Sequence, residues 1–346
     1  MSAPPRSRLL LTGATGLLGA YLARALATDY DVRATRRPTS DTAALADVPE
    51  LEWAEGELDD PAFLRDALRD VGAVVHAAGL VSYDPRDVRA LRHVNVELTA
   101  ALANAALDGG VSHLLHVSSI AAISPPQRTV LVREDQLTFH PHADTSAYAR
   151  SKYAGEREVW RAAEEGLGVT ILNPSVVLGV GDWTRSSGQL FGWVARGRRY
   201  YPTGGTGYVD ARDVAAFAKT CLAAGPAQRR YIVSAENWRF GRFFRAVAEA
   251  VDAPAPAAAA KPWQAEAAWR GARARSLLTG AAPLLTKESA RRSMRVIAYD
   301  NSASVEAGAV YRPLERTIWD VGRAYAAEAG APAARTTPRW ISRPPV

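Results

Sequence analysis

The chain has 346 residues, 48% hydrophobic and 23% charged, with a formal net charge of +6 and one cysteine. These values exclude a disordered, collagenous or disulfide-stapled chain, and the length allows one large core or two modest ones. No run is long and uncharged enough to span a bilayer, Met1 to Arg6 lacks an apolar signal core, and the scattered arginines carry no interleaved aromatics, so neither a membrane nor a nucleic acid is an expected partner.

The lone Cys221 lies in an apolar helical run and reads as inert core, which fits a cytoplasmic location. The positive balance can still help to draw in an anionic small molecule.

The first predicted element is a strand from Arg8 to Leu11. Thr12-Gly13-Ala14-Thr15-Gly16-Leu17-Leu18-Gly19 follows, and then Ala20, Tyr21, Leu22, Ala25 and Leu26 at helical spacing. Strand, glycine-rich turn and helix together describe a dinucleotide site. Gly13 permits the sharp turn, Gly16 lets a pyrophosphate approach the backbone, and Gly19 lets the helix pack on the strand. The helix N-terminus supplies N–H groups for the anion.

The next strand, Asp31 to Thr35, runs into Arg36-Arg37-Pro38, where folds that take NAD usually place an acidic residue. An arginine pair there suits a 2′-phosphate, so NADP is expected over NAD. A solvated basic turn is the plainer alternative.

Further strands are predicted at Leu51 to Trp53, Ala73 to His76, His113 to Val117, Val169 to Leu172 and Arg230 to Val233, with helical stretches between them. This alternation predicts an α/β protein with a doubly wound parallel sheet of Rossmann type. Ala77, Ala78 and Gly79 end one strand in small residues, which allows a cofactor close to the backbone. His76 reads as packed or cofactor-adjacent.

After Asn173-Pro174, glycines break up an aromatic segment containing Trp183, Phe191, Trp193, Tyr200 and Tyr201. Such a segment can cap a cofactor fold and line a pocket, and equally can fill a core. The expected organisation is a dinucleotide-binding domain over residues 1–173, with 208–235 returning to it. A smaller substrate-binding part covers 174–207 and 236–330, and 331–346 is a frayed tail. The Ala- and Pro-rich stretch from Ala253 to Pro262 reads as a loop, and there is no internal repeat.

Tyr148 and Lys152 stand four apart in a helix-forming stretch, so phenol and ammonium share one helical face. The ammonium can favour the phenolate, and a phenol of lowered pKa can exchange a proton with a substrate oxygen. Alone, such a pair is more often an amphipathic surface feature. Ser118 and Ser119, at the C-terminal edge of the predicted sheet, add a third polar group.

The chain thus resembles the extended short-chain dehydrogenase/reductase family, also called the NAD-dependent epimerase/dehydratase family. The resemblance rests on TGATGLLG from Thr12, HAAG from His76, Asn95, VSS from Val117 and YARSKYAGE from Tyr148. It continues through NPSVVLGVGD from Asn173, YVDARDVA from Tyr208 and YIVSAEN from Tyr231, and more faintly through YDNS at Tyr299 and RPLERTIWD at Arg312.

It implies an enzyme with NAD(P) held by Gly13, Thr15, Gly16, Leu17, Leu18 and Gly19, with Leu58 or Asp59 near adenine. Ala77, Ala78, Gly79 and Asn95 would lie along the cofactor, and Pro174, Ser175, Val176 and Val177 near the nicotinamide amide. Tyr148 would be the acid/base, Lys152 would bind the ribose and keep Tyr148 acidic, and Ser119 would bond the reacting oxygen. Ser82, Tyr83, Trp183 and Phe191 are the candidate substrate contacts.

Sugar-modifying members usually carry arginine where Asn173 stands and often a tyrosine-glycine pair where this chain has Ile120 to Ile123. Both departures resemble the branch with dihydroflavonol and cinnamoyl reductases and 3β-hydroxysteroid dehydrogenases. The leading expectation is therefore an oxidoreductase that interconverts a carbonyl and a secondary alcohol on a small, fairly apolar molecule. A nucleotide-sugar epimerase or dehydratase, using Arg212, Arg239 and Arg242 for a diphosphate, is the alternative. A non-catalytic dinucleotide sensor is a third reading.

His140 and His142 resemble a metal pair, but no third ligand stands at matching spacing, so no metal site is expected. The helices from Arg86 to Ala106 and Ser146 to Ala163 could pair across a homodimer two-fold or cover the sheet internally.

Overall fold

The computed structural model describes residues 6–48, 50–123, 131–135, 139, 141, 145–279 and 285–328. His140, His142 and the expected tail at 331–346 lie outside the described residues.

Seven parallel strands form the main sheet, in the order Arg229–Val233, Val169–Pro174, His113–Val117, Ala73–His76, Arg8–Thr12, Asp31–Arg36 and Glu52–Glu55. Each sits within a few residues of its predicted position. Their apolar side chains alternate between two cores, as the two-residue period of a strand requires. Leu9 and Leu11 pack with the helices Leu17–Leu26 and Ala211–Ala224, whereas Leu10 packs on the other face with Leu64, Leu102 and Val159.

The chain moves outward from Arg8–Thr12 through two strands, then restarts on the other side with Ala73–His76. The crevice between these two central strands is the topological switch point, where doubly wound folds gather ligands. Buried Arg33 braces the outer strands by donating to the carbonyl of Ala67 at 2.9 Å and to Glu52 at 2.8 Å. It thereby satisfies the carboxyl end of the helix Pro61–Ala67.

A second sheet of three strands, Val176–Leu178, Gly205–Asp210 and Glu236–Arg239, lies apart from the first. Its core holds Phe191, Tyr208, Phe243, Val247 and Trp319, with Tyr208 stacked on Phe243 at 4.3 Å. In the stretch 208–235 the chain returns to the main sheet through the helix Ala211–Ala224 and the strand Arg229–Val233, while residues 208–210 stay in the second sheet.

On the other face of the main sheet, Val88–Arg92, a π turn at His93–Glu97 and Leu98–Asp108 run as one helical stretch. The wide turn leaves the Asn95 carbonyl to accept from Thr99 Oγ1 at 3.0 Å. It also presses that carbonyl against Gly155 of the helix Ala147–Glu164, where a Cβ would sit inside the oxygen's van der Waals contact. Gly155→Ala must spread the two helices and is expected to cost about 1–3 kcal/mol, read as a lowered denaturation midpoint. An unchanged midpoint would remove this packing argument.

Candidate active site

Gly13 turns the chain at φ +75°, and a side chain there would place its Cβ 2.5 Å from the Ala78 nitrogen. The loop can therefore lie against the end of the neighbouring strand only as glycine. Gly16 caps the helix Leu17–Leu26 with no side-chain bond to the first turn, and Thr15 and Gly16 are exposed. Leu17 and Leu18 are half-buried at the helix start, and Gly19 packs against the Gly13 carbonyl. Free helix N–H groups beside a bare backbone suit a pyrophosphate.

The two arginines after the second strand differ. Arg36 pairs with Glu55 at 3.1 Å and lies over the Trp53 ring at 5.8 Å, whereas Arg37 is exposed. Expected to act as a pair, they leave Arg37 as the freer cation. Leu58 is buried, and Asp59 is exposed with its carboxylate 3.7 Å from His93.

Asn95 works as a latch between this end and the polar trio. Its amide nitrogen donates to the Leu80 carbonyl and to Ser151 Oγ, both at 2.9 Å, and its amide oxygen accepts from the Leu80 nitrogen at 2.8 Å. The Ala77 to Leu80 segment is thereby tied to the helix that carries Tyr148 and Lys152. Gly79 faces both Asn95 and Lys152, since a Cβ there would lie 3.9 Å from Lys152 Nζ.

That helix begins at Ser146, whose hydroxyl accepts from the Ala149 nitrogen at 3.1 Å, so Tyr148 stands in the first turn. Its phenol is pushed well above the ordinary tyrosine value, first by burial and then by Tyr83, while the Ser119 hydroxyl and the positive charge of Arg292 pull it down. Ser119 heads a short 3₁₀ turn and accepts from the Ala121 nitrogen at 3.1 Å.

Lys152 is buried and donates to the Val117 carbonyl at 3.0 Å; burial pushes its ammonium down to about 8, against the opposing pull of Glu156. The ammonium thus reaches back to the sheet, where it acts on His76 and His116. The groups that pull the Tyr148 phenol down are the Ser119 hydroxyl and Arg292.

Glu156, one turn beyond Lys152, is a buried carboxylate. It accepts from Asn173 Nδ2 at 2.5 Å and faces Arg230 at 3.3 Å. Asn173 Nδ2 also donates to the Ser119 carbonyl at 2.9 Å, so this cluster supports the serine from below. Glu156 could be anticipated from the sequence, because four residues separate it from Lys152. Arg292 could not, since its helix Lys287–Arg292 resembles any charged surface turn.

His76 is packed as expected. Its ring nitrogens lie 2.7 Å from Thr12 Oγ1 and 3.0 Å from Thr99 Oγ1, and burial pushes it down to about 3. Cys221 is buried, with its thiol pushed up to about 12 by burial. Among the described residues no three metal-ligating side chains converge, and no helix is long and apolar enough to cross a membrane.

Pro174 ends a main-sheet strand, Val176 and Val177 begin the second sheet, and Ser175 between them is buried with its hydroxyl unpartnered. Ser118 Oγ is likewise buried and unpartnered. These spare hydroxyls, with the uncapped glycine loop, fit a dinucleotide along the crevice.

Of the candidate substrate contacts, Tyr83 is exposed and meets Tyr148 edge-on at 5.9 Å. Ser82 is occupied by Asp87 at 2.6 Å. Phe191 is 1% exposed in the core of the second sheet, so its ring fills the interior and faces no ligand. Trp183 lies beside it, bonded to Glu328 at 2.5 Å and edge-on to Tyr325 at 5.2 Å.

A "Sterol demethylase protein B" of Methylococcus capsulatus is 37% identical over 257 residues, which cover 73% of this chain and 77% of that protein. A "Putative dihydroflavonol 4-reductase" of Synechocystis is 29% identical over 308 residues, 86% of this chain and 88% of the relative. The solved structure of gox2253 superposes with a TM-score of 0.79 at 28% identity, covering 94% of this chain and 100% of that one. Residues 9–234 match the model of the NAD dependent epimerase/dehydratase family. With the glycine loop, Ser119, Tyr148 and Lys152 in place, the chain belongs to that family of enzymes.

Proposed function

We propose that this protein is an NADP-linked oxidoreductase that interconverts a carbonyl and a secondary alcohol on a largely apolar substrate. The observation that carries the reading is the surround of Tyr148. Leu91, Ala121 and Ala149 pack on it with Leu80 beside them, and Tyr83 stands exposed at its edge. These buried side chains hold the ring in an apolar core, and the exposed aromatic face of Tyr83 beside it favours a hydrophobic substrate.

The arginines that could hold a diphosphate are largely engaged. Arg212 is paired with Asp210 at 2.6 Å and Asp320 at 3.0 Å. Arg242 is paired with Glu315 and lies 3.7 Å from the centre of the Trp238 ring. Only Arg239 of the three is left, which weighs against a nucleotide sugar.

A nicotinamide held along this crevice would supply or accept a hydride at the substrate carbon. Tyr148 holds or takes the proton at the substrate oxygen, and Ser119 donates a hydrogen bond to that oxygen as charge develops. Lys152 and Asn95 hold the floor of the cleft rigid, which sets the reacting groups in place. The preference for NADP rests on Arg37, an exposed cation at the end of the second strand.

The test is net cofactor turnover. Hydrophobic secondary alcohols should yield one reduced cofactor per ketone, with NADP bound at least about ten-fold more tightly than NAD and the gap closed by Arg37→Gln. Conversion of UDP-glucose without net cofactor change would replace this reading with an epimerase. Equal or tighter binding of NAD would overturn the NADP preference.

A further inference from the structure

Arg292 ends a short helix held from both sides. Thr286 and Ser289 form a capping box at its start, and the Ser293 and Arg295 carbonyls accept from Gly204 and Gly205 of the second sheet at 3.0 Å. Beyond it, Ile297 and Tyr299 pack on Ile120 and Ile123, next to Ser119. The Tyr299 backbone is fixed at both polar atoms by the Asn237 side chain, at 2.8 and 2.9 Å. The guanidinium is thus delivered across the cleft by a braced segment rather than by a loose loop.

Its neighbours are unusual for an arginine of this chain. The less exposed arginines face carboxylates: Arg33 faces Glu52, Arg230 faces Glu156 and Arg323 faces Asp252. Arg292 instead donates to Tyr299 Oη at 3.3 Å, and among the described residues the groups acting on its charge are Tyr299, Tyr83 and Tyr148, three phenols and no carboxylate. Its side chain is exposed, and the phenols of Tyr83 and Tyr148 lie near enough to act on its charge. A guanidinium has five N–H donors in a planar fork that matches a carboxylate. Val81, Tyr83 and Val296 are exposed apolar side chains on segments flanking Tyr148 and Arg292.

From this arrangement we infer that Arg292 binds a carboxylate carried by the substrate, so that the preferred substrate is an apolar hydroxy acid or keto acid rather than a neutral alcohol or ketone. This inference rests on the oxidoreductase reading for its chemistry but not for its binding. In oxidation, run above neutral pH where Tyr148 is the phenolate, the carbinol hydride would pass to NADP⁺ and the hydroxyl proton to the Tyr148 phenolate, while the carboxylate stays on Arg292 unchanged.

The experiment uses 3-hydroxydodecanoate and its methyl ester with NADP⁺, and dodecanoate as a redox-inert ligand of the enzyme–NADP⁺ complex. The acid should be preferred over the ester by roughly 30-fold in kcat/KM, and Arg292→Gln should remove that preference through the KM of the acid, while any loss of kcat from the missing pull on Tyr148 falls equally on acid and ester. Arg292→Lys should restore part of it. Dodecanoate should bind wild type and lose roughly 30-fold in Arg292→Gln, with NADP⁺ affinity as the folding control.

Equal use of acid and ester by wild type would overturn the inference. So would an equal loss on both with a displaced pH profile, because the guanidinium would then act on Tyr148 alone. Absent turnover with Arg292-dependent dodecanoate binding would sink the oxidoreductase reading and keep this one; dodecanoate binding that is absent or indifferent to Arg292 would sink this one.

Discussion

Tyr148→Phe should lower kcat by roughly a thousand-fold and leave NADP affinity unchanged, the range expected when a positioned acid/base is lost. The substitution keeps the ring, and so its packing against Leu91, Ala121 and Ala149. It removes only the hydroxyl that Ser119 and Arg292 act upon. Because burial first, and Tyr83 second, hold the phenol above its ordinary value, it is protonated in the resting cleft at neutral pH. It is therefore ready to donate to a carbonyl, whereas alcohol oxidation needs the phenolate. Oxidation should accelerate as pH rises and reduction should not, a contrast visible in pH profiles taken in both directions. Retention of wild-type rates in the variant would end the proposed mechanism.

Lys152→Met should cost activity and add stability. The ammonium is 5% exposed and its pKa falls from 10.5 to about 8, with burial as the main cause. The folded value lies below the unfolded one, so the sign is opposite to that of a stabilising ion pair. Below pH 8 both states are protonated and the folded state carries the full penalty, ~3 kcal/mol. Between pH 8 and 10.5 the folded protein releases its proton first, and the penalty disappears. Cofactor-free Lys152→Met should therefore be more stable than wild type at pH 7 by about 3 kcal/mol, with the difference shrinking towards pH 10.5. Its kcat/KM should fall by roughly a hundred-fold, as the site loses the group that holds its floor. Denaturant titrations at pH 7 and pH 10 decide the matter: a variant less stable at pH 7 would mean that the bond to the Val117 carbonyl outweighs burial.

The main sheet was legible because each of its strands is a short apolar run flanked by helical spacing, and Leu9, Leu10 and Leu11 face two cores in turn. The second sheet was not. Its strands carry Gly205, Gly207 and Trp238, residues without a clean two-residue period, and they pair across long separations: Gly205 lies opposite Arg239 and Tyr208 opposite Val176. The aromatics of that region divided as only packing could decide, with Phe191 and Tyr208 buried and Tyr200 exposed. Within the site, Ser119, Tyr148 and Lys152 were visible from their setting. The direction in which the Lys152 ammonium reaches depends on the Val117 carbonyl, 35 residues away, and the spacing of two side chains on a helix does not contain it. Arg292 depends on still longer connections, through Tyr299 to Asn237, 62 residues apart.

The Glu156 cluster places a constraint on how this chain can change. The guanidinium that faces Glu156 comes from Arg230, on the adjoining strand, and not from position 173, which carries an amide. An arginine introduced at 173 alone would set two cations on one buried carboxylate and displace the amide that props the Ser119 carbonyl. Loss of Arg230 alone would leave Glu156 with the Lys152 ammonium as its remaining cation and without its nearest counter-charge. Positions 173 and 230 are thus locked by charge balance, and any route between the two arrangements passes through a destabilised chain unless both change together.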